Sequence, residues 1–389
     1  MIASFPSSDQ PERCIFNLRA ARQLQHFVDI EVIFPRAWLP GRKFMSQYEI
    51  EGIKVHMLAI PQTPITSTIN LSLYQYLGWN LVRPFLKSCD IIHSVYADGP
   101  GILASLWARR AHKRHVMQII GSDVNQVLEN SKPYRDYHNW TNSVDGVICV
   151  SNSIAHKYKE MYPNSKNLRT IYRGADLKKF NPEGAVEGSI DRRNPVRFFY
   201  TGGFSGSNIL KHGSHDVKGG VYLFEAWRFA EERLNSAGAS LVLAGANSDS
   251  ETMRKRLSKL KFPDMVHLAG SLDPVEIPNY MRASDVIVLP SLNEGLPNVG
   301  MEAMACGKAI IGSDVGGIPE LVIEGETGHM VPPKNTTALA YALVSAANNP
   351  DLIANMGSKA RLRATELLDN HNFAPAVVEL YKEVLNDPI

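Results

Sequence analysis

The sequence predicts an α/β protein made of two doubly wound, parallel-sheet domains in tandem. Short apolar runs of strand length alternate with helical stretches along the whole chain, as in parallel sheets covered by helices on both faces. One polar stretch rich in Gly and Pro, "FNPEGAVEGSIDRRNP" at residues 180–195, interrupts the alternation and reads as a linker. A chain of 389 residues is also long enough for two cores.

In chain order, the strands of the first half are "MIASF", "DIEVIFP", "KVHMLAIP", "DIIHSVY", "HVMQIIG", "DGVICVS" and "LRTIYRG". Those of the second half are "VRFFYTGG", "ASLVLAGA", "MVHLAGS", "DVIVLPS", "KAIIGSD" and "GHMVPP". The run in "SDVIVLPS" is nearly continuous in apolar residues, the mark of a strand buried on both faces. The first domain is placed at 1–190 and the second at 191–372. The last helix, around "PAVVELYKEVLND" within 373–389, is expected to pack back on the first domain. Sheets of this kind bind ligands beyond the carboxyl ends of their strands, so a cleft between the domains is the expected active site.

A content of 44% hydrophobic and 21% charged residues suits a soluble protein. No run of about 18 apolar residues exists to span a membrane. The start "MIASFPSSDQPER" has no basic segment followed by an apolar one, so it does not read as a signal peptide. Four scattered cysteines form no CxxC pair, and the expected location is the reducing cytoplasm. Residues 1–190 carry 22 Lys and Arg against 16 Asp and Glu, while residues 191–389 carry 19 against 23. The basic first half calls for an anionic partner, a membrane face or a phosphorylated acceptor. No zinc-finger spacing or RNA-binding signature points to nucleic acid.

The stretch "PSLNEGLPNVGMEAMACGKAII" carries the most chemistry. It runs from a buried strand through a bent loop into a helix, with Pro297 suited to the first helical position and Gly307 to the C′ position. Glu294 then lies in the loop, and Glu302 one to two turns into the helix. The amides of Asn298, Val299 and Gly300 and the helix dipole favour an anion. Carboxylates repel phosphate, so the two glutamates should accept hydrogen bonds from hydroxyls on either side of it. A ligand with hydroxyls flanking a diphosphate is a nucleotide sugar. The plain alternative is a turn residue and a solvated helix residue.

These residues, in "SLNEGLPNVGMEAMACGKAIIGSDVGGIPELVIEGETGHMVPP", resemble the Glu-x7-Glu segment of the retaining family 4 glycosyltransferases. Support comes from "DIIHSVYADGPG", "GSDVN", "VDGVICVSNSI", "YRGADLKKFNP" and "DVKGG". The resemblance implies the GT-B fold, two facing Rossmann-like domains, and transfer of a hexosyl group from a nucleotide sugar, UDP-linked and with glucose as first guess. By style of N-terminus it implies capsule, exopolysaccharide or teichuronic-acid assembly, with a glycan or lipid-linked acceptor.

Residue by residue, the resemblance implies that Glu302 holds the ribose and Glu294 sits by the transferred sugar. The backbone from Gly295 through Leu296, Pro297 and Asn298 to Val299 would cradle the sugar and diphosphate. Lys218 would balance charge growing on the leaving phosphate. Ser271 and Leu272 would hold the base, and Gly202 and Gly203 would let the chain approach the phosphates. The sequence departs from the family where an arginine usually follows the first strand of the second domain, here about Gly203. It also departs at Ile120, in place of an acceptor-side histidine, and at Cys14 to Phe16, in place of a glycine loop. No Asp-x-Asp occurs, so no metal and no cofactor are expected.

Further candidates come with plain alternatives. His93 reads as a strand-end histidine facing the cleft, either a contact to acceptor or donor sugar or a bystander. Asp123 would take a proton from an acceptor hydroxyl or cap the following helix. Arg173 and Asp176 read as structural. Lys211, in the Gly- and Ser-rich loop between Phe204 and Lys218, would supply the second phosphate charge. Arg109, Arg110, Lys113 and Arg114, placed at a helix end, and the aromatic "LSLYQYLGWNLVRPFLKS" would dock on an anionic membrane at the inner face of the plasma membrane. Otherwise their cations offset helix dipoles. The competing functions are a nucleotide-sugar 2-epimerase of the same fold and a non-catalytic sugar-binding protein.

Overall fold

A computed structural model describes residues 1–10, 14–39, 41, 43–61, 67–97, 99–128, 144–188, 194–204 and 216–387, without the side chains of 67–74 and 126–128. The chain forms two compact units. One is Met1–Arg173 with His371–Ile389, and the other is Gly174–Asn370.

The first unit is built on β1 (Glu31–Ala37), β2 (Met45–Ile50), β3 (Ile53–Ile60), β4 (Ile91–Val95), β5 (Arg114–Ile119), β6 (Gly146–Cys149) and β7 (Leu168–Thr170). β1 pairs in parallel with β3, and β4 to β7 form a parallel set in sequence order. The first residues join the two sets: Ile2 bridges Ile33 of β1 and Ser94 of β4, with Ile2 N donating to His93 O at 2.7 Å and Ala3 N to Ile33 O at 3.1 Å. The predicted strand "MIASF" therefore lies at the centre of this sheet.

β2 is a strand the sequence reading did not anticipate. It forms an antiparallel hairpin with β3, turning at Glu51 (φ 52°) and Gly52 (φ 79°), as a tight hairpin turn requires. It is an edge strand with no fully buried residue, so it lacks the apolar run that marks the others.

Helices α1 (Ile15–Leu24), α2 (Ser67–Ser88), α3 (Gly99–Ala111) and α4 (Asn152–Met161) accompany these strands. The last helix, α12 (Phe373–Asn386), belongs to this unit. It buries Phe373, Val377, Leu380 and Val384 against Val116 of β5 and Ile148 of β6. Gly146 lets it come close: a Cβ there would stand 3.0 Å from Val384 Cγ2.

The second unit holds β8 (Arg197–Tyr200), β9 (Ser240–Ala244), β10 (Val266–Gly270), β11 (Val286–Leu289), β12 (Ala309–Ser313) and β13 (Gly328–Val331). They coincide with the six apolar runs read from the second half. All pair in parallel, in the order β10-β9-β8-β11-β12-β13. This is the doubly wound order whose direction reverses between β8 and β11. Helices α5 (Gly220–Ser236), α6 (Glu251–Leu257), α7 (Ile277–Ala283), α8 (Asn298–Ala305), α9 (Ile318–Leu321), α10 (Thr336–Ala347) and α11 (Pro350–Leu367) connect the strands. Trp227 of α5, fully buried, meets Phe198 of β8 edge-on at 5.8 Å in the main core.

The units divide at Arg173/Gly174 rather than at residue 190, because the chain from Ala175 into the polar stretch is bonded to the second unit. Ala175 N donates to Leu368 O (2.7 Å), Lys179 Nζ to Pro274 O (3.0 Å), Arg282 Nε to Ala185 O (2.6 Å) and Glu187 N to Asn279 O (3.1 Å).

Candidate functional site

Where the strand order reverses, two loops leave neighbouring carboxyl ends side by side. One follows β8 and leads to α5; the other follows β11 and leads to α8. They are laced together: Leu292 N donates to Val217 O at 2.8 Å. Gly219, at φ 73°, has no room for a side chain, since a Cβ would fall 1.8 Å from Pro290 O. Asp216 accepts from Val221 N at 2.7 Å and fixes the start of α5.

Across this junction Lys218 Nζ donates to Glu294 Oε1 at 2.7 Å, and Ser291 Oγ donates to the same oxygen at 2.9 Å. The Glu294 side chain is 10% exposed and that of Lys218 50%. The structure thus brings Lys218 and Glu294 into one ion pair, a contact between residues 76 apart that the separate roles read from the sequence did not include. Gly316 closes over the same loop: its φ is 53°, and a Cβ would lie 1.9 Å from Glu294 O.

Beyond Glu294, the segment Gly295–Pro297 is buried while Asn298 is exposed and Val299 half-buried. Pro297 is the N-cap rather than the first helical residue, with extended φ and ψ of −71° and 120°, so α8 begins at Asn298, one residue later than expected. Gly300 permits close packing, since a Cβ would meet Leu321 Cδ1 at 2.6 Å. Its amide donates to Pro297 O at 3.0 Å, so it is already engaged by the helix and does not stay open for an anion as the sequence reading had it. Glu302 is the fifth residue of α8 and half-buried. Gly307 ends the helix as anticipated: φ is 70°, Gly307 N donates to Met304 O and Lys308 N to Ala303 O, a Schellman arrangement.

Gly202 and Gly203 follow β8, and their crowding has an internal cause. A Cβ at Gly202 would strike the Tyr200 hydroxyl at 2.4 Å, and one at Gly203 (φ 68°) the Ala246 amide at 2.7 Å. Ser271 is exposed and Leu272 half-buried, just past the carboxyl end of β10. Lys211 lies outside the described residues.

The first unit corrects two readings. His93 is not at a strand end: it is the third residue of the five-residue β4, 3% exposed, and its Nδ1 is hydrogen-bonded to the Tyr381 hydroxyl of α12. Burial lowers its pKa to about 3, so it is a neutral core histidine. Asp123 is 1% exposed and accepts from the amides of Ala97 (2.9 Å), Gly121 (2.8 Å), Val124 (3.1 Å) and Ile120 (3.3 Å). Burial raises its pKa and those amides oppose the rise. The carboxyl group brackets two loops, and nothing about it is open to an acceptor hydroxyl. Asp176 is structural, as read, accepting from the amides of Lys178 and Lys179.

Arg173 is the residue whose setting the sequence did not reveal. It stacks on Phe16 with 4.6 Å between the guanidinium carbon and the ring centroid, and Nη2 approaches Asn17 Oδ1 at 3.5 Å.

The basic cluster is split. Arg109 and Arg110 end α3 exposed, Arg110 lying over the Trp79 ring at 4.4 Å. Arg114 instead opens β5 and pairs with Asp145 at 2.7 Å, which removes it from the helix end. Among the described residues, no helix is long and apolar enough to cross a membrane.

Comparison with known proteins agrees with this architecture. A family model described as Glycosyltransferase Family 4 matches residues 11–179, and one described as Glycosyl transferases group 1 matches residues 214–363. The chain is 27% identical over 304 residues to N-acetyl-alpha-D-glucosaminyl L-malate synthase of Bacillus anthracis, covering 77% of this chain and 76% of that protein. It is 24% identical over 356 residues to the putative teichuronic acid biosynthesis glycosyltransferase TuaC of Bacillus subtilis, covering 87% and 86%. Among solved structures, HepE of Anabaena in complex with UDP superposes with a TM-score of 0.73 at 17% identity, over 98% of this chain and 99% of that one. Likeness at that identity speaks to the fold, and the expected fold class, GT-B, is borne out. Two family models thus match in series, Glycosyltransferase Family 4 ahead of Glycosyl transferases group 1, each over less than half of the chain.

Proposed function

We propose that the protein is a retaining glycosyltransferase that moves a hexosyl group from a UDP-linked sugar to a glycan or lipid-linked acceptor in surface polysaccharide synthesis. The observation that carries this reading is the Lys218–Glu294 pair at the point where the second sheet reverses its order. A half-exposed ammonium is held there by a nearly buried carboxylate, beside the loop that opens α8. UDP is favoured as carrier because solved structures of Anabaena HepE are in complex with UDP, with UDP and glucose, and with UDP-glucose.

In this reading the bond between the anomeric carbon and the β-phosphate oxygen breaks, and negative charge grows on the departing UDP. Lys218 stabilises that charge. Glu302 holds the ribose, Glu294 orients Lys218 and the transferred sugar, and exposed Ser271 and half-buried Leu272 receive the base. The acceptor oxygen bonds to the anomeric carbon on the face the phosphate leaves, and its proton passes to the phosphate. Since Asp123 and His93 are both enclosed, the leaving phosphate is the base. No metal is required by this scheme. The first unit binds the acceptor, and its basic, aromatic surface rests on an anionic membrane.

Incubation with a panel of UDP-sugars tests the proposal. A slow release of UDP that persists in EDTA, with a product of unchanged anomeric configuration, is expected. An inverted product or loss of turnover in EDTA contradicts it. A changed sugar still bound to UDP would favour the epimerase reading, which the matched domains do not support.

A further inference from the structure

The first unit has its own point of strand reversal. The initial strand lies between β1 and β4, and beyond its carboxyl end the chain enters α1 at Cys14. Three features meet there. Asn17, fully buried in the first turn of α1, donates from Nδ2 to Ser4 O at 2.8 Å, tying the helix to the end of the initial strand. Tyr96, just past β4, holds a φ of 80°, a conformation that costs an aromatic residue energy. Its hydroxyl lies 3.5 Å from Cys14 Sγ. Arg173, just past β7, reaches over the same turn to stack on Phe16.

The guanidinium of Arg173 is poorly satisfied. Its Nε is sealed from solvent with no hydrogen-bond partner among the described residues, and the contact of Nη2 to Asn17 is long at 3.5 Å. Asp123, whose charge Arg173 feels, is itself occupied by four backbone amides. At the start of α1 the N-cap Cys14 makes no side-chain capping bond, and no acidic residue stands in the first turn. A rigid, always-charged fork and a helix N-terminus without an acidic side chain both favour an oxyanion. Burial also draws the pKa of Arg173 down to about 10, against the opposing influence of Tyr96, Asp123 and Cys14.

We propose that Arg173, with the first turn of α1, is a receptor for an oxyanion, the phosphate or carboxylate of an anionic acceptor. The inference rests on the transferase reading, because it assigns the first unit's ligand to the acceptor. It makes Arg173 a specificity-determining residue, distinct from the donor residues Lys218, Glu294 and Glu302 of the other unit.

The test measures thermal stabilisation of the full chain by inorganic phosphate and, separately, by malonate, at constant ionic strength and with saturating UDP to block the donor site. The wild type should be stabilised by one or both, and the stronger of the two names the acceptor group. Arg173→Gln should weaken that affinity by about tenfold or more, Arg173→Lys should keep part of it, and both should bind UDP as the wild type does. A phosphate response retained in Arg173→Gln, or abolished by Lys218→Ala instead, would overturn the proposal. So would reduced UDP affinity in Arg173→Gln. If UDP fails to bind the wild type, the donor reading falls, and the phosphate arm without UDP still decides this one. Should Arg173→Gln misfold, the response of Arg173→Lys decides, and one equal to that of wild type would contradict a bidentate site.

Discussion

Lys218 is an inexpensive way to hold a cation ready. An ion pair with one half-exposed partner adds only about 0–1 kcal/mol to stability, so its value lies in position. When phosphate arrives, the ammonium can share its three protons between Glu294 and the new oxyanion. Lys218→Ala should therefore leave the urea midpoint close to wild type while lowering kcat roughly 100-fold or more. Wild-type kcat, or a large loss of stability, would speak against it. Histidines 93 and 115 follow a different rule. Both are buried, and desolvation brings each pKa to about 3. The unfolded chain takes up their protons from about pH 6.5, so their contribution to stability is complete above that pH and is lost as pH falls toward 3. The expected slope is roughly 1 kcal/mol per histidine per pH unit just below pH 6. Urea unfolding at pH 7 and 5.5 should show it, and His115→Asn should flatten the difference; an unchanged difference contradicts the assignment. Neither this burial nor the setting of Arg173 was legible in the sequence. His93 is sealed by Tyr381, 288 residues away, and Arg173 meets Asn17 across 156. No local pattern reports such a partner.

At the scale of elements, the loops of the second unit are built around glycines that other residues cannot replace. Gly219→Ala would combine a left-handed backbone with a Cβ 1.8 Å from Pro290 O, costing about 2–4 kcal/mol. Because Pro290 begins the loop that carries Glu294, UDP-sugar turnover should fall along with the unfolding midpoint. A variant as stable and active as wild type would show that the two loops are not so tightly wedged. These strands and loops were legible because parallel strands buried on both faces leave continuous apolar runs, and because Gly307 marks a helix end by its own chemistry. β2 was not, since an edge strand with polar residues carries no such run and Glu51-Gly52 is a weak turn signal. Arg114 was misplaced for a related reason: a basic run crosses from α3 into β5, and only its pairing with Asp145 separates the two.

For the molecule as a whole, charge is distributed unevenly, with the excess of cations in the first half. On the first unit Tyr76 and Leu77 stand 69% and 51% exposed on α2, which also presents Arg83 and Lys87, while α3 presents Arg109 and Arg110. Apolar insertion together with attraction to anionic lipid, about 1 kcal/mol per cation near the surface, predicts co-sedimentation with anionic but not neutral liposomes at low salt. Arg109→Glu with Arg110→Glu should reduce it. Equal sedimentation with both liposome types would remove the membrane from the account. The central claim, however, is that the junction after β8 and β11, with the helix it opens, receives a nucleotide sugar. Calorimetric titration of UDP tests it most directly. Glu302→Ala should bind UDP about 2–3 kcal/mol more weakly than wild type, because a charged hydrogen-bond pair to the ribose is lost, while Glu294→Ala should bind it nearly as well. Equal UDP affinity in wild type and Glu302→Ala would contradict the account.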